Sequence, residues 1–99
     1  MAVSNDPVQV APHVYKVSFE NDRVRVLDVH MQPGEKSAMH AHPAYVCYLL
    51  APAKVKFTAG DGTTAEVEFP AGVVWRDAEE HAVEYVGLGE MRAVFVELK

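Results

Sequence analysis

Ninety-nine residues, 49% of them hydrophobic and 23% charged, describe one globular domain with a single core. Nine basic against fourteen acidic residues give a formal charge of −5, and the basic ones are scattered, which argues against a nucleic-acid backbone or an anionic membrane as the main partner. Cys47 is the only cysteine, so no intrachain disulfide forms. The longest apolar run, 44–53, contains Pro52 and is about half of what a membrane-spanning helix requires. The first dozen residues lack the apolar core of a signal peptide. The expected location is the cytoplasm.

Residues 1–13 carry Asn5-Asp6-Pro7 and Ala11-Pro12 and read as an irregular lead-in to a domain over 14–99. Residues 14–19 predict a short strand, punctuated by Asn21-Asp22. Residues 23–31 are valine-rich and run to Pro33-Gly34. The stretch that follows organises the chain: His40 and His42 stand one residue apart. On a strand, positions i and i+2 share a face, so both imidazoles can aim at one point; on a helix they would diverge by about 200°. Such a pair reads as a metal pincer that lacks at least one further ligand.

Residues 45–50 are almost wholly apolar and rich in aromatic and branched side chains, which predicts a strand buried on both sides. Residues 54–59 and 63–69 alternate with period two around Gly60-Asp61-Gly62, a hairpin with Val67 and Phe69 inward and Glu66 and Glu68 outward. Pro70-Ala71-Gly72 makes a corner before 73–77. A small acidic patch, 77–80, leads to 81–85, and 92–98 is a last alternating strand after Gly87-Leu88-Gly89. About eight short strands with no convincing helix predict an all-β barrel or sandwich.

In these residues the chain resembles the cupin superfamily, specifically its small single-domain members. Gly34, His40 and His42 match the first half of the motif G-x5-H-x-H-x3,4-E-x6-G. The glutamate position falls on Val46 at the shorter spacing and on Cys47 at the longer. A regularly running strand would place Val46 and Tyr48 on the histidines' face, which favours Val46. Pro70-Ala71-Gly72 matches the centre of the second motif, G-x5-P-x-G-x2-H-x3-N. Trp75 stands at its histidine position; His81 takes that role if the corner carries an insertion, with Tyr85 at the asparagine position.

The resemblance implies a jelly-roll barrel that holds one divalent metal (iron, zinc, nickel or manganese) through His40, His42 and His81. Tyr48 is the expected catalytic residue, orienting a small anionic molecule, and Val46, Trp75 and Tyr85 are expected around the pocket. Asp77, Glu79 and Glu80 read as a solvated acidic corner; Asp77 and His30 are reserve ligands, His13 is ordinary, and Cys47 is a buried hydrophobe rather than a nucleophile. Cupins include dioxygenases, isomerases, epimerases, storage proteins and sensors, so the fold does not choose a function. Three neutral imidazoles without the glutamate leave a dication fully charged, as in the thiol dioxygenases of the class. The expected function is therefore a metal-binding cupin acting as a non-haem dioxygenase or related enzyme on a small anion. The alternatives are a non-catalytic sensor or accessory protein and a metal-free isomerase. A homodimer is expected, pairing exposed barrel edges, with the lead-in reaching across.

Overall fold

The computed structural model describes residues 5–99. The period-two patterns become strands: β1 (Tyr15–Glu20), β2 (Val24–Met31), β3 (Lys36–His42), β4 (Tyr45–Leu49), β5 (Ala53–Ala59), β6 (Thr64–Phe69), β7 (Gly72–Arg76), β8 (Glu79–Tyr85) and β9 (Met91–Leu98). They form two antiparallel sheets, one of five strands in the order β1-β2-β9-β4-β7 and one of four in the order β3-β8-β5-β6. Leu27, Val29, Met31, Ala93 and Phe95 are among the side chains buried in the core. Full burial of a large aliphatic or aromatic side chain contributes about 1.5–3 kcal/mol. The β5–β6 hairpin leaves Glu66 and Glu68 exposed and Val67 and Phe69 half-buried, as the alternation predicts.

Four features differ from the sequence reading. First, the lead-in contains a one-turn helix, α1 (Pro7–Val10), capped by the Asp6 carboxylate accepting from Val8 N at 2.9 Å, with Pro7 at its first position. A single turn is too short to show periodicity, although Asp-Pro is a recognised start signal. Second, this segment packs on its own barrel. Pro7 and Ala11 are buried, and the Asn5 carbonyl accepts from Ala41 N at 2.8 Å.

Third, β3 and β4 lie in different sheets, so the Pro43-Ala44 corner resets which side chains face the core. Tyr45, Cys47 and Leu49 turn inward, whereas Val46 is half-buried and Tyr48 is 49% exposed. The regular run that would have put Val46 and Tyr48 beside the histidines does not exist. Fourth, the stretch between Gly72 and His81 is no corner insertion: it is a whole strand, β7, in the five-stranded sheet. The bend that returns the chain to β8 is Asp77-Ala78. Gly72 still serves a corner of its own, at φ +111°, a backbone conformation that favours glycine.

Candidate metal centre

β3 and β8 pair so that His40 lies directly opposite His81, with His42 two residues further along. All three imidazoles are buried, and each offers a ligand atom within 4.8 Å of the others. Their Nδ1 atoms are already engaged. That of His40 lies 2.7 Å from the Ala38 carbonyl, that of His42 2.6 Å from Glu97 Oε2, and that of His81 2.5 Å from Glu79 Oε1. Carbonyls and carboxylates only accept, so each Nδ1 carries the proton and each Nε2 keeps its lone pair.

The Nε2 atoms of His42 and His81 are buried without any hydrogen-bond partner. Leaving a buried polar atom unpaired costs about 1–3 kcal/mol, and two such atoms converge here. A divalent cation satisfies both lone pairs at once, and the residues present fit one. His40 Nε2 is 3.2 Å from the Tyr15 hydroxyl. Burial pushes His40 down to about 4, and it lowers His81 despite the neighbouring Glu79. Both are therefore neutral near pH 7, which is the metal-ligating form.

The two carboxylates are themselves anchored. Glu97, only 2% exposed, receives Arg25 Nε at 2.9 Å, and Arg25 Nη1 donates to Asp6 at 2.8 Å. Glu79 receives Arg76 through Nε and Nη2 at 2.9 and 2.8 Å. Burial alone would raise the Glu79 carboxyl, but hydrogen bonds from His81 and Arg76 prevail and hold it at about 2. Sequence reasoning missed Glu97. The signal was its parity on β9, where Met91, Ala93 and Phe95 all face inward, and an inward carboxylate must find a partner.

Beside His81 lies a small apolar cavity of about 40 Å³, lined by Met31, Leu49, Phe57, Phe69 and Phe95, with Arg76 as its one cation. The Arg76 guanidinium lies over Phe57 and Phe69, 5.0 and 5.6 Å from the ring centroids. Cys47 also faces this cavity, and burial pushes its thiol up to about 12, so it stays protonated and inert.

The remaining expected site residues lie elsewhere. Val46, Tyr48 and Trp75 are on the outer face of the five-stranded sheet, held there by the reset parity of β4 and by its pairing with β7. Tyr48 is thus not positioned to orient a molecule at the histidines. Tyr85 is buried, but its hydroxyl donates to the Leu88 carbonyl at 3.0 Å, away from the cavity lining. His30 pairs with Glu90 at 2.9 Å, and Asp77 accepts from the Trp75 indole at 2.9 Å. Neither reserve ligand joins the three histidines, the only metal-competent group among the described residues. His13 is exposed, with Nε2 3.0 Å from the Lys36 carbonyl.

No protein-family model and no curated protein matches the chain. Solved structures do match. A cupin domain from Bordetella pertussis Tohama I superposes with a TM-score of 0.78 at 24% identity, over 87% of this chain and 92% of that one. A protein with a double-stranded β-helix domain from Klebsiella pneumoniae gives 0.66 at 20% identity, over 86% and 75%. Oxalate decarboxylase from Bacillus subtilis gives 0.56 at 24% identity, over 76% of this chain but 21% of that one. The fold is that of a small, single cupin-like domain, and its interior carries a three-histidine group that could hold a metal. Among the described residues no helix is long and apolar enough to cross a membrane.

Proposed function

We propose that the chain is a metal-dependent cupin enzyme of the non-haem dioxygenase type, acting on a small molecule with an apolar body and an anionic group. The observation that carries this reading is the pair of orphaned, buried Nε2 atoms of His42 and His81, with His81 itself lining an apolar cavity that contains one arginine. A bound divalent ion would supply a Lewis-acidic centre and, as iron, oxygen chemistry; an all-imidazole set also accepts zinc, nickel or manganese. The chain's own residues do the rest. Glu97, Glu79 and the Ala38 carbonyl hold the three rings in one tautomer and one orientation. Glu97 is offset by Arg25 and Glu79 by Arg76, so the ion's charge is left to attract an anion. Arg76 lines the cavity with its charge already offset by Glu79, so the ion is the main attraction, while Phe57, Phe69 and Phe95 exclude water around the apolar part.

A second reading, a non-catalytic binder or sensor, is favoured by the small cavity and by its lack of a free acid or base: Tyr15 and Tyr45 line it, and burial raises both phenols above the ordinary value. Elemental analysis of untagged protein should give one metal per chain, lost in His40→Ala, His42→Ala and His81→Ala. Iron-loaded protein should then consume oxygen only when a small thiol-, keto- or aryl-carboxylate is present. Binding of such anions with no oxygen uptake and no product would replace the enzyme with the sensor. Full metal retention in the histidine variants would sink both.

A further inference from the structure

The outer face of the five-stranded sheet should be polar, since no other element of the described residues packs over it. It is apolar instead. Strand register sets Phe19 opposite Val26, Val26 opposite Val96, Val96 opposite Val46, and Val46 opposite Trp75, a row that crosses the whole sheet. The neighbouring row continues it with Val94, Tyr48 and Val73. Phe19 is 55%, Trp75 53% and Val73 70% exposed. A register shift between Val17 and Phe19 turns Phe19 onto this face; without it Phe19 would follow Tyr15 and Val17, which pair with inward residues of β2.

We infer that this face is the interface of a two-fold homodimer, with the same sheet of a second copy as its occupant. Area is the first argument. The exposed side-chain surface of these rows is on the order of 550 Å² per protomer, about two-thirds of the roughly 800 Å² each partner contributes to a stable interface. The second is charge. The row from Phe19 to Trp75 carries no charged group, and the residues around it mix both signs: the second row runs from Val94 into Asp28 and its cross-strand partner Lys16, and Arg92 lies beside Glu90 and His30. A mixed-sign border around a neutral centre is self-complementary, as a two-fold contact requires. A partner of opposite net charge would call for one sign. The third is anchoring. The Trp75 N–H is already satisfied by Asp77 at 2.9 Å, so its ring can be covered at no cost in hydrogen bonding, and Tyr48 offers a second flat aromatic. The contact uses sheet faces, not the barrel edges, and leaves the lead-in on its own barrel.

Trp75 is the only tryptophan, so its fluorescence reports this face alone. Sedimentation of the full chain should give a dimer at micromolar concentration, with Trp75 emission shifting to the blue as the dimer forms. Val73→Glu and, separately, Tyr48→Glu should weaken association at least 100-fold, while circular dichroism and metal content match the parent. Because each variant is judged only if its dichroism matches, Val96→Thr, a milder change at the centre, supplies a third measurement and should weaken association about 10-fold. A parent chain that stays monomeric at 50 µM, as an order-of-magnitude ceiling for a specific dimer, overturns the inference. So does a dimer that survives both glutamate variants.

Discussion

Two of the three histidines are held by the same three-part arrangement, imidazole, carboxylate and guanidinium, built in opposite ways. The His42 arm runs through Glu97 to Arg25 and Asp6; His42 and Glu97 are fully buried and lie 55 residues apart. The His81 arm runs through Glu79 to Arg76. It spans the six residues 76–81, from the end of β7 through the bend to the start of β8, stays partly exposed, and touches the cavity. The difference separates two duties. The buried arm fixes a ring at the price of strict long-range assembly, whereas the local arm places a cation where an incoming molecule can meet it.

The largest effect expected is Glu97→Ala. It leaves Arg25 with Asp6 alone and removes the acceptor of His42 Nδ1, and breaking a buried ion pair from one side costs about 3–5 kcal/mol. Urea denaturation of metal-free protein should show that loss. Glu97→Gln, which keeps an acceptor oxygen, should recover part of it and lower metal affinity about 10–100-fold.

Acid comes next. The His40 pKa is about 4 in the folded chain against 6.5 for the ordinary group, so the unfolded chain takes up the proton first. Metal-free protein should keep its full stability above pH 6.5 and lose on the order of 3 kcal/mol as pH falls to 4. Glu79, held at about 2 against 4.5, adds a further loss only below pH 4.5. A urea midpoint unchanged between pH 7 and 4 would contradict the buried, neutral state of His40.

Glu79→Ala should cost less stability than Glu97→Ala, about 1–2 kcal/mol, because its pair is partly solvated. Metal affinity should nonetheless fall about 10-fold. Equal losses of stability in the two alanine variants would erase the distinction between the arms. Asp6→Ala is the smallest: it removes an N-cap and the outer end of the buried arm, for about 1 kcal/mol. Metal affinity should barely change, since Glu97 still holds both Arg25 and His42.

What the sequence disclosed follows the same divide. His40 and His42 were legible because i and i+2 on a strand need no tertiary knowledge, and the β5–β6 hairpin because its turn and alternation are local. His81 was reached only through the cupin resemblance, and by miscounting a strand as an insertion. Val46 and Tyr48 were assigned to the wrong face because parity does not survive a corner between sheets. Glu97 was invisible as a partner of His42, since no local pattern reports a contact across 55 residues.

That span also bears on the order of assembly. His42 acquires its carboxylate only once β9 has inserted between β2 and β4, a distant closure of the kind completed late in folding. A chain with β3 formed but β9 absent holds histidines without fixed tautomers and offers an ion only a poor grip. Metal should therefore engage after the folding barrier rather than before it. Its kinetic mark would be slower unfolding at unchanged refolding speed, so that the bound ion acts as a latch on the finished barrel and not as a seed for it.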